Sequence, residues 1–103
     1  MLTTHIKVDR QLVLETDRDD ATVGDTVTVR VRDDWNRPVE GATIRTGRGE
    51  HRTDESGRCR LTFREPGFWT LVAVKPSTDR VAYEPGRLLL RVASGSSSPR
   101  VVR

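Results

Sequence analysis

Apolar and polar residues alternate with a period of two in seven short segments of the chain, and residues that favour turns separate these segments. Because successive side chains of a β-strand point to opposite faces of a sheet, this alternation predicts strands. No segment has the apolar period of about 3.6 residues that an amphipathic helix requires. The predicted strands cover residues 5–8 running on to 11–16, then 26–33, 42–46, 50–54, 58–64, 68–75 and 86–92.

Seven strands at intervals of about ten residues, joined by turns rich in Gly, Pro, Asp or Asn, are typical of a β-sandwich. The chain has 103 residues, enough for one domain that buries roughly two thirds of the surface its unfolded form exposes. We therefore predict an all-β protein, a single seven-stranded, Ig-like (Greek-key) β-sandwich over residues 1–93. Residues 94–103, SGSSSPRVVR, have the composition of a flexible basic tail rich in Ser and Gly.

The alternation also assigns side chains to the two faces of each strand. In the strand at 26–33 the valines share one face and the arginines share the other. In the strand at 58–64 the same rule places Cys59 with Leu61 and Phe63 on the apolar face. Cys59 is the only cysteine, so the chain forms no internal disulfide, and we expect a buried thiol with a raised pKa.

The strand at 68–75 is apolar on both faces, as expected for a central strand that is covered on both sides. Two kinds of structure could cover its outer face. One is the loop KPSTDRVAYEPG or a terminal segment of the chain, and the other is a partner protein. The outer side chains are Phe68, Val72 and Val74, opposite to Trp69, Leu71 and Ala73.

The charge of the chain is carried by arginine. There are 16 Arg and 2 Lys, with a formal net charge of +3 and a pI near 9.7. Arginine makes bidentate contacts with carboxylates and phosphates, which favours acidic or nucleic-acid partners; codon bias in a GC-rich genome is the alternative explanation. The sequence has neither the pattern of a secretory signal nor an apolar run of the roughly 20 residues that span a membrane, so we expect a cytoplasmic location without membrane insertion.

Three motifs within residues 24–75 carry a resemblance to a known family. They are RPVEGATI, TDESG and PGFWTLVA. In this order they resemble the carboxypeptidase regulatory-like and bacterial Ig-like β-sandwich modules, with Asn36 in place of the usual first Gly and Trp69 in place of the usual Tyr. The resemblance implies a noncatalytic sandwich that serves as an accessory, linker or binding domain.

The resemblance also implies structural roles for single motif residues. Gly41 and Gly57 would provide turns that need a positive φ, and Pro38 would fix φ before the next strand. Ala42 and Ile44 would be the inward side chains of that strand.

The chain offers little for catalysis or metal binding. A thiol nucleophile would need Cys59 beside His5 or His51, which its apolar face disfavours. One Cys and two scattered His do not form a zinc site. The aspartates of Asp17–Asp25 suggest calcium, but Thr28 stands where an EF-hand loop has its Glu, so turn and capping roles are favoured and calcium binding stays open. We predict a protein that is not an enzyme, without cofactor or small-molecule substrate.

A basic sheet face is the first candidate for function. If the strands at 26–33 and 58–64 are neighbours, their outer arginines would form one surface that binds nucleic-acid backbone without reading its sequence. The alternative is a solvated face balanced by Asp33, Asp34 and Glu65 and by acids on strands that the sequence does not place. The arginines are Arg30, Arg32, Arg58, Arg60 and Arg64.

Exposed apolar side chains are the second candidate. Trp35, in the loop DDWNRP, either packs over Pro38 or anchors a partner. Phe68, Val72 and Leu89 would complete a protein-contact surface. We interpret the chain as an Ig-like module that mediates protein–protein association or assembly. The alternative is a small basic accessory protein that binds a ribonucleoprotein or nucleic-acid backbone through its arginine face.

Overall fold

The computed structural model describes residues 7–94, and these form ten β-strands and no helix. The predicted all-β class is confirmed, but the described part of the chain has ten strands instead of the predicted seven. The tail predicted for residues 94–103 lies outside the described residues except for Ser94. The strands are β1 (Val8–Gln11), β2 (Val13–Thr16), β3 (Asp20–Thr22), β4 (Thr26–Arg32), β5 (Thr43–Arg45), β6 (Glu50–Arg52), β7 (Arg58–Thr62), β8 (Gly67–Val74), β9 (Val81–Glu84) and β10 (Gly86–Ala93).

The additional strands arise where the sequence predicted turns or one continuous strand. β3 and β9 have three and four residues, which is too few to show a period of two. The predicted first strand is divided at Leu12, whose side chain is 1% exposed. At this residue the chain passes from β1, which pairs with β9, to β2, which pairs with β4.

Two sheets form the layers of the sandwich. One has three strands in the order β2-β4-β7, and both of its pairs are antiparallel. The other has five strands in the order β3-β10-β8-β5-β6, in which β3 and β10 run parallel. β1 and β9 form a separate parallel pair.

The core lies between the inner faces of the two sheets. The three valines of β4 are completely buried, as the alternation predicted, and so are Ile44, Leu71 and Ala73 from the five-stranded sheet. Trp69 packs against Phe63 with ring centroids 5.1 Å apart. The side chains of both sheets thus belong to one apolar cluster.

Two buried polar side chains fix the connections between strands. The Thr53 hydroxyl donates to the Val39 carbonyl at 2.7 Å and accepts the Ala42 N–H at 2.9 Å. This ties the segment between β4 and β5 to the end of β6. The second side chain, Asp33, organises the loop after β4 and is only 4% exposed.

Residues 7–94 contain no helix with the length and apolarity of a membrane span.

The turn between β6 and β7 has the structure that the TDESG motif predicted. Asp54 accepts the N–H groups of Ser56 and Arg58 at 2.9 and 3.0 Å. These hydrogen bonds lower the pKa of the Asp54 carboxyl, and the bond from the Arg58 N–H has the largest effect. Gly57 has a φ of 78° and Gly41 a φ of 74°, so both predicted turn glycines are confirmed.

Candidate functional site

The outer face of the five-stranded sheet exposes a group of large apolar side chains. Phe68 is 70% exposed and Leu89 is 62% exposed, while Val72 is half-buried. The register places Leu89 opposite Thr70, so it is diagonal to both Phe68 and Val72 on the same face. We call Phe68, Val72 and Leu89 the apolar patch.

Arginines surround the apolar patch. Arg45 and Arg87 lie on either side of Val72, on β5 and β10, and Arg91 lies opposite Phe68. The Arg45 Nε is 3.2 Å from the Glu50 carboxylate, whereas Arg87 and Arg91 form no ion pair with residues 7–94. The face therefore combines an apolar centre with a positively charged border.

The chain itself does not cover this face within the described residues. The loop KPSTDRVAYEPG was one predicted cover, but its strand β9 pairs with β1 and its Tyr83 packs toward the core. Phe68 and Leu89 stay exposed as a result. This geometry excludes the loop as the cover, whereas the terminal segments, the other part of that prediction, lie outside the described residues.

The outer face of the three-stranded sheet brings four of the five predicted arginines together. β4 and β7 are antiparallel neighbours, with Arg30 opposite Arg58 and Thr28 opposite Arg60. Arg32 follows on β4, whereas Arg64 lies beyond the end of β7, where it lines a cleft with Trp69.

Glu15 of β2 partly balances this arginine face. Its carboxylate oxygens are 3.9 Å from Arg30 Nη1 and 3.3 Å from Arg32 Nε. Glu15 is one of the strand acids that the sequence could not place. Of the three acids that the sequence named, Asp33 pairs with Arg37 and Glu65 pairs with Arg48, while Asp34 forms no ion pair with residues 7–94. Arg58 and Arg60 form no ion pair with any residue between 7 and 94.

Trp35 interacts with arginines in the structure. It is 63% exposed, and the guanidinium carbons of Arg10 and Arg37 lie 3.9 and 4.9 Å from its ring centroid. Each contact has cation–π geometry. The sequence proposed Pro38 or a partner as the contact of Trp35 and missed Arg10, because Arg10 belongs to β1 and reaches the loop only through the tertiary fold.

The aspartates between β2 and β4 bind backbone and arginine groups. Asp17 accepts the Thr28 N–H at 3.1 Å, and Asp25 accepts the Thr22 N–H at 3.0 Å and pairs with Arg18. Among residues 7–94 no cluster of three or more His, Cys, Asp or Glu is placed to hold a metal ion. The geometry is that of aspartates that cap turns and strand ends.

Cys59 is half-buried on the inner face of β7, beside the cleft that His51 also lines. Burial is the main cause that raises the pKa of its thiol, and the negative charge of Asp54 raises it further. A raised pKa disfavours the thiolate, which is the form that a nucleophilic cysteine requires.

We expect Cys59 to react with iodoacetamide at least several-fold more slowly at pH 7.5 than the cysteine of an unstructured peptide. The midpoint of its pH-rate profile should lie above that of the peptide, and Asp54→Asn should lower this midpoint because it removes a negative charge. The measurement is alkylation followed by mass spectrometry between pH 6 and 10. A midpoint near or below pH 7 would contradict the noncatalytic interpretation.

The motifs that suggested a family correspond to defined elements of the structure. They are the approach to β5 together with its first residues, the turn between β6 and β7, and β8. Ala42 and Ile44 are completely buried, as the resemblance implied. In comparisons with known proteins, no family model, no curated protein and no solved structure matches the chain.

Proposed function

We propose that this chain is a noncatalytic Ig-like module of the Greek-key type that associates with another protein through the apolar patch. The strand order supports the Ig-like topology. In such sandwiches the first, second, fourth and fifth strands share one sheet, and the third, sixth and seventh share the other. β2, β4 and β7 take the first, second and fifth places, and β5, β8 and β10 take the third, sixth and seventh. The fourth strand, β6, departs from this pattern because it pairs with β5 in the other sheet.

The exposure of Phe68 and Leu89 carries the functional proposal. Complete burial of a Phe or Leu side chain is worth about 1.5–3 kcal/mol, and 70% and 62% of these two side chains lie in water. They lie diagonal to each other on the same sheet face, so one partner surface would cover both. Aromatic side chains at the centre of an interface are the usual sites of high binding energy.

The arginine border indicates the chemistry of the partner. Arg87 and Arg91 flank the apolar patch without an ion pair among residues 7–94. A partner with an apolar centre and carboxylates at its rim would match this face in shape and charge. The fold itself provides the rigid platform, because β8 and β10 are the central strands of the sheet.

Loss of partner capture by Phe68→Ser/Leu89→Ser is the test of this function. The full chain is immobilised and exposed to a lysate of its own cells, and the bound proteins are quantified by mass spectrometry. Self-association is measured separately by sedimentation. We expect one protein, or a second copy of the chain, to bind the wild type with an affinity at least about tenfold higher than it binds the double variant. Both substitutions replace exposed groups, so we expect the free energy of unfolding to change by less than about 0.5 kcal/mol per site.

Val8→Ser is the matched control for this experiment. Val8 is 43% exposed and lies on β1, away from the apolar patch. The control removes exposed apolar surface but should leave capture unchanged. Equal capture by the wild type and the double variant would refute the proposal.

Binding of nucleic-acid backbone is the second candidate function. The observation in its favour is that Arg58 and Arg60 are exposed without an ion pair among the described residues. Glu15 opposes it, because its carboxylate pairs with Arg30 and Arg32 on the same face. Protein association is therefore the function that the geometry supports best.

A further inference from the structure

β7 is the outermost strand of the three-stranded sheet, and one side of its backbone is free. Gly57 and Phe63 accept hydrogen bonds from Val31 and Gly24 on the β4 side. Because backbone groups alternate in direction along a strand, the odd-numbered residues of β7 face β4 and the even-numbered ones face away. Within residues 7–94, the N–H and C=O groups of Arg60 and Thr62 have no hydrogen-bond partner on this free side.

The opposite sheet extends beyond β7. Its last strand, β6, places His51 opposite Ile44. Both side chains therefore point toward the interior of the sandwich, and Ile44 is completely buried. His51 is nevertheless exposed, because the three-stranded sheet ends at β7 and no described strand lies across from β6.

Two open clefts occupy this side of the sandwich. The first has a volume of about 870 Å³ and includes His51, Cys59 and the two unpaired arginines of β7 in its wall. Asp17 and Asp54 also line it, but both carboxylates already accept backbone N–H groups. The second has a volume of about 330 Å³ and a partly apolar wall that includes Leu61, Phe63 and Trp69. His51 lines both clefts, so they follow the free edge of β7 along its length.

We propose that the free edge of β7 binds an extended acidic peptide segment as a fourth strand of the three-stranded sheet. The segment would pair with the backbone of Arg60 and Thr62, as in β-strand addition. One set of its alternating side chains would enter the clefts toward Leu61 and Trp69. The other set would lie on the outer face, where carboxylates meet Arg58 and Arg60.

Charge and hydrogen bonding both favour an acidic peptide segment at this edge. Carboxylates complement the arginine side chains that lack an ion pair on the outer face of β7. A nucleic acid would use those arginines but cannot form a β-ladder with the strand edge. The site is on the other sheet from the apolar patch, so the proposal is independent of the association proposed there.

The test uses the full chain and an acetylated, amidated octapeptide of alternating valine and glutamate. We expect the peptide to bind at low salt and to slow hydrogen exchange of the Arg60 and Thr62 amides at least about tenfold, measured by NMR. The same peptide with N-methyl groups on alternate residues keeps its charge but cannot form the ladder. Its affinity should be at least about tenfold lower.

Protein variants separate the edge from general electrostatic attraction. Arg58→Ser/Arg60→Ser should weaken peptide binding at least about tenfold, whereas Lys7→Ser/Arg80→Ser removes the same charge from exposed positions outside β7 and outside the apolar patch and should change it less than about twofold. Equal binding of the N-methylated peptide would overturn the proposal. So would the absence of binding at millimolar peptide, or tighter binding of a DNA duplex with the same dependence on Arg58 and Arg60.

Discussion

Gly57→Ala is expected to lower the free energy of unfolding by about 3 kcal/mol or more. Gly57 has a φ of 78°, a conformation that costs an alanine about 1 kcal/mol or more. A Cβ at this position would lie 2.6 Å from the Val31 carbonyl oxygen and 3.0 Å from the Val39 nitrogen. Overpacking of this kind costs a further 1–3 kcal/mol or so, because backbone has to move.

The atoms that the new Cβ would displace form a hydrogen bond with each other. The Val39 N–H donates to the Val31 carbonyl at 3.0 Å, and the Val31 N–H donates to Gly57 at 2.7 Å. Gly57 thus closes the turn against the end of β4. Moving Val31 to make room for a methyl group would disturb both bonds, and we expect the effect in urea or guanidinium unfolding at neutral pH.

Gly47→Ala is the matched control for the clash. Gly47 has a φ of 88°, but a Cβ there would have no atom within 4 Å. The control isolates the cost of the positive φ, so we expect a loss of only about 1 kcal/mol. Equal losses for Gly57→Ala and Gly47→Ala would show that the turn adapts without strain and would contradict the role given to Gly57.

The parts of the fold that the sequence predicted are those with local causes. β4, β7, β8 and β10 each have at least five residues. Alternation along β4 and β7 identifies both the strand and its buried face, and the continuous apolar run of β8 identifies a central strand. The positive φ of Gly57 follows from the turn chemistry of TDESG. These features depend on neighbours within a few positions along the chain, so a single sequence contains them.

Cross-strand partners are the parts that the sequence could not predict. The three residues of β3 form a strand because β10 provides a parallel edge for them. Glu15 balances Arg30 and Arg32 only after β2 has paired with β4. The alternation correctly placed Phe68, Val72 and Leu89 on outer faces, but their adjacency requires the register of β8 with β10.

Asp33→Ala should lower the free energy of unfolding by about 2–4 kcal/mol at pH 7. One carboxylate oxygen of Asp33 accepts the N–H groups of Trp35 and Arg37, each at 2.9 Å, and the other accepts the Arg37 Nε at 3.0 Å. Removing the carboxylate leaves three donors without their acceptor, and hydrogen bonds to a charged group are worth about 1.5–3 kcal/mol. The loop that presents Trp35 should loosen, which near-ultraviolet circular dichroism would detect.

The contribution of Asp33 should also depend on pH. Burial raises the pKa of its carboxyl, but the N–H bonds from Arg37 and Trp35 and the Arg37 guanidinium outweigh burial, so the pKa lies below the ordinary value of 3.8. A depressed pKa in the folded state stabilises the protein above the pKa of the unfolded state. This stabilisation is lost as the pH falls from about 4 through the folded pKa.

Asp33→Asn is the control that separates charge from hydrogen bonding. Asparagine keeps an acceptor for the backbone N–H groups but lacks the negative charge, so we expect a loss of about 1–2 kcal/mol at pH 7. Denaturant unfolding at several pH values between 7 and 2 should show that the difference from the wild type shrinks as the pH falls below about 4. A difference that is the same at pH 7 and at pH 2 would contradict an ionised Asp33 as the organiser of this loop, because the protonated carboxyl would then stabilise it equally well.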